Sequence, residues 1–314
     1  MTIELSRTNG DDLSGPIGIL GLGIMGSAIA RNLVNSGRSV IGYDPDGTRR
    51  TEAIQIGVDM QKDSADVAAK CELLLLSLPD SAALDDSGVK ILRRSKSQLT
   101  SRILVELSTL DLECKLQNRE RLARAGIVML DCPISGTGAQ AQTRDIAIYA
   151  SGDKASFEHC LPVFKDISRS VHYVGEFGKG TKLKFVANLL IAIHNVATAE
   201  ALVFGTNCGL DPDMICDVIK AGAGNSRIFE LRSSLMASGV YDPPMMKLEV
   251  WQKDMALIAK FAEGIGAPTP LFSATAPLYA TALENGLGQQ DTAAVCTVLQ
   301  EMGKKQISQK EKHK

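Results

Sequence analysis

The chain has 314 residues, 45% of them hydrophobic and 22% charged, with a formal net charge of −2 and a pI near 6.1. That is enough apolar material for one large domain or two ordinary ones, and the near-neutral balance argues against a nucleic-acid or anionic-membrane surface. Seven cysteines, an odd number with no C-x-x-C spacing, argue against a secreted disulfide framework and fit reduced thiols in a cytosol.

The first 15 residues, MTIELSRTNGDDLSG, are polar and lack the apolar stretch of a signal peptide, so a disordered arm is expected there. From residue 16 onward short apolar runs alternate with helical patterns. PIGILGL, SVIGYD, ELLLLSL, RILVELS and IVMLDCPI are expected as buried strands; segments such as SAIARNLVNSG and LECKLQNRERLARAG are expected as helices between them. This alternation specifies an α/β fold: a doubly wound parallel sheet of Rossmann type, covered on both faces. Beyond residue 179 the strand signals stop. TKLKFVANLLIAIHNVATAEALVFGTNCG is expected as one helix, about 43 Å long at 1.5 Å per residue, ended by Gly209. Three or four more helices follow, punctuated by GLDPD, GAGNS, YDPP and GAPTP. The expected division is a sheet domain over 16–178, an all-α domain over 179–305 and a frayed basic tail over 306–314. No window offers about 18 uninterrupted apolar residues, so no membrane span is expected. The long helix is apolar around most of its surface, at Leu189, Leu190, Ile191, Ile193, Val196, Leu202 and Val203. Such a helix must be buried, which predicts a homodimer or homotetramer.

GILGLGIMGSAIARNL, residues 18–33, places Gly21, Gly23 and Gly26 in the spacing G-x-G-x-x-G between a strand and a helix. Alone, that spacing is also an ordinary tight turn. In this context Gly21 permits the turn, Gly23 lets the backbone approach a pyrophosphate, and Gly26 allows close strand–helix packing. Gly21, Leu22, Gly23, Ile24, Met25 and Gly26 are therefore the candidate phosphate cradle of a dinucleotide, facing the free N–H groups of the helix start. A second strand ends on Asp44, 18 residues past Gly26. An acid there accepts bonds from ribose hydroxyls and repels a 2′-phosphate, favouring NAD over NADP. Arg49 and Arg50 could reverse that preference, although exposed charge at a helix start is their plainer reading. Leu78 and Pro79, in SLPD at a strand end, should border the cofactor.

These residues resemble the β-hydroxyacid dehydrogenases, the 3-hydroxyisobutyrate dehydrogenase family. Besides the glycine loop, three stretches match in order: DCPISGTGAQAQTRD (131–145) resembles the substrate-binding segment, GKGTKLKFVAN (178–188) the catalytic segment G-x-G-x-x-x-K-x-x-x-N, and WQKDMAL (251–257) the C-terminal K-D-L segment. The likeness runs from about 16 to 300. HNVATAEALVFG and AGNSRIFELR are similar to the L-threonate dehydrogenase branch.

The resemblance implies an NAD-dependent dehydrogenase of a small hydroxy acid, either a 3-hydroxy acid or an aldonate such as L-threonate. Oxidising an alcohol by hydride transfer leaves a proton for a side chain to take. Lys179, Lys182 and Lys184 compete for that role. Only Lys184 has an Asn four residues on, Asn188, on the same helical face, and only Lys184 falls six residues after Gly178 in the family frame. Lys184 is thus the inferred base, with Asn188 holding it or the substrate hydroxyl; an incidental lysine at a solvated helix start is the alternative. Ser135 and Gly136, at a strand end, suit a substrate carboxylate. Thr137 stands where the family usually has a second glycine, which puts substrate size at issue. The family places Ser108 and Thr109 beside the nicotinamide ribose, though a helix N-cap explains the same pair. Lys253 is implied to meet substrate or cofactor; with Asp254 it also reads as a solvated charge pair. His194 and Cys132 read as packed residues, and no spacing suggests a metal site. The implied partners are a hydroxy acid and NAD in the cytoplasm, with no nucleic acid and no membrane. The rivals are reduction of a short aldehyde acid or an imine on the same fold, and a non-catalytic NAD-binding sensor. A sensor would need Gly21 to Asp44 but not Lys184 with Asn188.

Overall fold

The computed structural model describes Leu13, residues 15–94 and residues 99–312, with backbone only for 305–312. It divides into two compact units, which part between Lys184 and Phe185. In the first unit β1 (Ile17–Leu20), β2 (Val40–Tyr43), β3 (Asp59–Met60), β4 (Leu73–Leu76), β5 (Ile103–Glu106) and β6 (Val128–Asp131) form one sheet in the order β3-β2-β1-β4-β5-β6. All its pairs are parallel. The order reverses between β1 and β4, and that switch point opens a crevice at the carboxyl ends of the strands. Successive strand residues point to opposite faces. Ile17, Ile19, Leu73, Leu75 and Val105 enter one apolar cluster, while Leu20, Leu74, Leu76 and Leu104 enter another. Both faces are buried, which is why these strands read as unbroken apolar runs.

Helices α1 (Ile24–Asn35), α2 (Gly47–Gln55), α3 (Ser64–Ala68), α4 (Ser81–Leu92) and α5 (Leu112–Arg124) connect the strands. The chain then adds β7 (Ile134–Ser135), α6 (Gly138–Gln142), β8 (Ala147–Ala150), α7 (Lys154–Ile167) and β9 (Ser170–Tyr173). Here β8 pairs antiparallel with β7 and parallel with β9 in a second, three-stranded sheet. The five expected strands are β1, β2, β4, β5 and β6. Of the other four, β3 and β7 escaped the pattern because they have only two residues, and β9 because it is half-buried throughout.

The long helix α8 spans Lys179–Asn207 and crosses the boundary between the units. In the second unit it is followed by α9 (Pro212–Lys220), α10 (Arg227–Ser238), α11 (Leu248–Gly264), α12 (Pro270–Glu284), a 3-10 turn (Thr292–Ala294) and α13 (Val295–Lys312). These five helices exceed the three or four expected. The helix-forming run QEMGKKQISQKEK extends α13 to Lys312, through most of the expected frayed tail. Residues 1–12 and 14 of the expected arm, and residues 313–314, lie outside the described residues. Leu13 is not loose: it is 6% exposed, and its carbonyl accepts a bond from Arg38.

By length and composition alone α8 is long and apolar enough to cross a bilayer, with a window of mean hydropathy 1.5, although it has no uninterrupted apolar run of that length; the core helix of a folded unit passes the same test. Its Asn195 is nevertheless held by the helical unit through the side-chain amide nitrogen. Asn195 Nδ2 donates to Tyr279 Oη and to the Thr292 carbonyl, both at 2.9 Å. Buried Asp291 pairs with Arg232 at 2.9 Å and accepts from the N–H groups of Met245 and Met246, which fixes the segment leading into α11.

Candidate active site

The glycine loop lies between β1 and α1. Gly21 has φ +86°, in the left-handed region, and a Cβ there would sit 2.2 Å from the Ser77 carbonyl oxygen. A Cβ on Gly26 would fall 1.9 Å from the Gly21 carbonyl oxygen. Backbone geometry therefore demands both glycines. Gly23 is different. Its φ of −68° suits any residue, and a Cβ there would meet nothing nearer than Arg49 Nη1 at 3.7 Å. Gly23 is also the N-cap of α1, and no side chain caps that helix, whereas Asp46, Asp63, Asp80, Asp111, Thr137 and Asp153 cap α2 to α7. Open space over Gly23 and uncapped N–H groups are the two properties a phosphate cradle needs. A dinucleotide pyrophosphate therefore fits this loop, with Ile24, 73% exposed, and half-buried Met25 at its rim.

The sequence suggested Asp44 as an acceptor for ribose hydroxyls. The structure buries it, with Oδ2 accepting from Leu22 N–H at 2.7 Å and Oδ1 from Asp46 N–H at 2.9 Å. Its charge thus fixes the loop as well as facing it. Arg50 is occupied by the Asp44 and Pro45 carbonyls, at 2.9 and 2.8 Å. Arg49 stays half-exposed, 3.7 Å from Asp44, and helps line a cavity of about 290 Å³ with Gly23, Ile24, Arg31 and Gln142.

Further along the strand ends, Ser108 does not cap a helix: Asp111 caps α5, and Ser108 Oγ accepts the Leu78 N–H at 2.7 Å. The Leu78–Pro79 and Ser108–Thr109 segments are thereby joined. Ser135 is half-buried, and Gly136 has φ +145°, where a Cβ would lie 2.6 Å from the Ile146 side chain. Thr137 caps α6 in a reciprocal capping box with Gln140, so its hydroxyl is engaged locally.

The first turns of α8 separate the competing lysines. Lys182 is exposed, whereas Lys184 is 7% exposed. In the second unit Asn188 is buried and donates to Asp254 Oδ2 at 2.9 Å. Asp254 is 8% exposed, so the solvated-pair alternative for Lys253 and Asp254 fails at its acid; Lys253 Nζ lies 3.7 Å from Asp254 Oδ1. His172 and His194 are half-buried; Cys132 is fully buried, and burial pushes its thiol pKa well up. Among the described residues no cluster of metal-binding side chains occurs.

One group of charges escaped sequence reasoning. Lys115, Glu106 and Asp131 are all fully buried. Lys115 Nζ lies 2.5 Å from Glu106 Oε2, 2.9 Å from Asp131 Oδ1, 2.8 Å from the Ser108 carbonyl and 3.0 Å from Thr181 Oγ1. Burial alone would lower the Lys115 pKa, but Asp131 and Glu106 outweigh it and hold the ammonium charged. Burial raises the Glu106 pKa against the pull of Lys115. The sequence signal was a lysine on the apolar side of an otherwise ordinary amphipathic helix, which reads as surface charge until its depth is known.

Residues 16–175 match the family model described as the NAD binding domain of 6-phosphogluconate dehydrogenase. Residues 178–299 match the one described as the NAD-binding of NADP-dependent 3-hydroxyisobutyrate dehydrogenase. The chain is 29% identical over 283 residues to glyoxylate/succinic semialdehyde reductase 2, chloroplastic, of Arabidopsis thaliana, covering 90% of this chain and 79% of that one. It is 28% identical to an L-threonate dehydrogenase of Pectobacterium atrosepticum, covering 90% and 93%. Its structure is similar to that of the 3-hydroxyisobutyrate dehydrogenase of Mycobacterium tuberculosis, solved with L-serine, with a TM-score of 0.82 at 25% identity over 91% of this chain and 99% of that chain. With an ordered set of motifs, a reversed parallel sheet bearing the glycine loop and family models matching from residue 16 to 299, the chain belongs to the β-hydroxyacid dehydrogenase family of NAD(P)-dependent oxidoreductases.

Proposed function

We propose that the chain oxidises a short hydroxy acid with NAD, and reduces the matching oxo acid in reverse, with Lys184 as the general acid and base. The burial of Lys184, beside a solvated Lys182, carries this reading: a general base must be held out of water at a fixed place, and of these two lysines only Lys184 is. The Ser135 hydroxyl and the backbone at Gly136 hold the substrate carboxylate. Neutral Lys184 Nζ takes the hydroxyl proton as the carbon–hydrogen bond breaks and the carbonyl forms. When bound, NAD supplies the hydride acceptor. Asn188, fixed by Asp254, orients the reacting hydroxyl, and Lys253 adds positive charge toward the acid, roles that rest on the family motif. A relative named for L-threonate and others named for semialdehydes or 3-hydroxyisobutyrate support an acid with its hydroxyl or carbonyl close to a carboxylate. Among candidates of that kind, L-threonate is our first choice.

A panel of L-threonate, 3-hydroxyisobutyrate and 3-hydroxypropionate, assayed by NADH absorbance, tests the reading. Turnover of at least one acid is expected. A chain that binds NAD and oxidises none would be the sensor instead.

NAD is the proposed cofactor because Asp44 sets a fixed negative charge at the end of β2. One charge about 6 Å from a 2′-phosphate is worth roughly 2–3 kcal/mol at an effective dielectric of ~20. Asp44→Asn should therefore narrow the NAD-over-NADP ratio of kcat/KM by about 10- to 100-fold, and Arg49→Ala should widen it. A parent that prefers NADP would show that Arg49 dominates.

The chain is also proposed to act as a homo-oligomer in a reducing cytosol. Val186, Leu190 and Phe204 of α8 are exposed in the single chain, and all seven cysteines are free. Sedimentation as a monomer at micromolar concentration would overturn the oligomer.

A further inference from the structure

The buried ionic cluster around Lys115 is an expensive thing to build. Removing one ammonium and two carboxylates from water carries a desolvation penalty for every ion, and apolar replacements of such groups are often neutral or stabilising. Stability alone therefore does not account for it. What it joins is more informative. Through Glu106 Oε2 and the Ser108 carbonyl, Lys115 holds the end of β5, where Ser108 in turn receives the N–H of Leu78 and donates its own to Glu106 Oε1. Through Asp131 it holds the end of β6. Through Thr181 Oγ1 it holds the first turn of α8. Asp131 completes that last link by accepting from Thr181 N–H at 2.8 Å and Thr181 Oγ1 at 2.6 Å. Beside it, Ser151 Oγ donates to Asp131 Oδ2 and accepts Gly180 N–H. Gly180 lies so close to these strand ends that a Cβ would be 2.3 Å from the Tyr149 carbonyl oxygen.

The rest of α5 presses on the same segment. Leu112 lies where a Gly178 Cβ would meet it at 3.0 Å, and the Arg119 guanidinium sits over the Phe177 ring, 5.1 Å from its centroid. Leu112, Lys115 and Arg119, spaced i, i+3 and i+7, form one face of α5. That face grips residues 177–181 at three successive points, and Lys184 follows Thr181 by one helical turn.

We propose that Lys115 is a positioning residue for the reaction: its ammonium locks the first turn of α8, and hence Lys184, in register with the Ser108–Thr109 rim of the cofactor crevice. The inference rests on the proposed role of Lys184. Misplacing a reacting group by about 1 Å costs up to 10²-fold in rate. The loss appears in kcat, with each KM nearly unchanged, because binding groups elsewhere stay intact.

Lys115→Met alone leaves Glu106 and Asp131 without a counter-charge and is expected to fold poorly. The double variant Lys115→Met with Glu106→Gln keeps the formal charge of the cluster, since one ammonium and two carboxylates (−1) become one carboxylate (−1). Thr181→Val is nearly isosteric, leaves no orphaned charge, and cuts the direct side-chain link from Lys115 to α8 while leaving the Thr181 N–H bond to Asp131. Both variants should bind NAD as the parent does, by calorimetry. Their kcat should fall about 10- to 100-fold for the double variant and less for Thr181→Val, with KM for the acid within about threefold. The deuterium isotope effect on kcat, with substrate labelled at the carbinol carbon, should rise, and amide exchange over residues 180–184 should quicken. A purely structural cluster would lower the melting temperature but leave kcat and the isotope effect of the folded enzyme alone. A Thr181→Val enzyme with parental kcat and parental exchange overturns the proposal, whatever the double variant does. Lys184→Ala, run alongside, separates the two layers. If it is inactive while the other variants match the parent, only the positioning role falls; if it turns over at the parental rate, the Lys184 reading falls and the positioning role with it.

Discussion

Lys184→Ala should lose turnover by about 10²- to 10⁴-fold, the usual cost of removing a positioned general base, while NAD affinity stays close to that of the parent. The two effects separate because the residues assigned to the cofactor lie elsewhere in the chain, in the glycine loop and at Asp44. The loss should fall on kcat, because Lys184 matters most as the proton leaves. Lys182→Ala is the matched control. It lies about 160° around the helix from Lys184 at ~3.6 residues per turn, and it is exposed where Lys184 is buried. NADH formation and NAD calorimetry on both variants decide the matter. An inactive Lys182→Ala beside an active Lys184→Ala would mean that the family frame is shifted by half a turn.

Gly23→Ala should fold with a parental melting temperature yet bind NAD roughly 100-fold more weakly, a difference of about 2.7 kcal/mol. Neither φ nor space within the protein requires glycine at this position. Only a ligand approaching the backbone would collide with the added methyl group. Gly26→Ala makes the contrast. Its Cβ would strike the Gly21 carbonyl, so it should lose both stability and cofactor binding. If Gly23→Ala bound NAD normally, the loop would be a tight turn and no more.

The sheet domain was legible because parallel strands buried on both faces must be apolar at every position, and IGIL, LLLL and the ILV of ILVE are. The glycine loop was legible because its spacing meets geometric demands that few other residues satisfy. The short strands β3 and β7 were not, since a two-residue strand carries no period. The number of C-terminal helices was underestimated because GLGQQDTAA, the break before α13, was not counted among the punctuating segments. In the structure that segment is organised by buried Asp291, whose partners Arg232, Met245 and Met246 are 59, 46 and 45 residues away.

Within the site the sequence supplied residue types and spacings: the three glycines, an acid at the end of β2, and a lysine with an asparagine four residues on. Local geometry suffices for those, because a turn, a strand end and a helical face are all set by near neighbours. Three matters needed the tertiary structure. It placed Lys184 out of water and left Lys182 in it. It occupied the Thr137 hydroxyl with a capping box and the Asp44 carboxylate with two loop N–H groups. It also gathered Lys115, Glu106, Asp131 and Thr181, up to 75 residues apart in the chain, around one ammonium. Burial and electrostatic pairing depend on what packs across the fold, and no local pattern of residues encodes that distance.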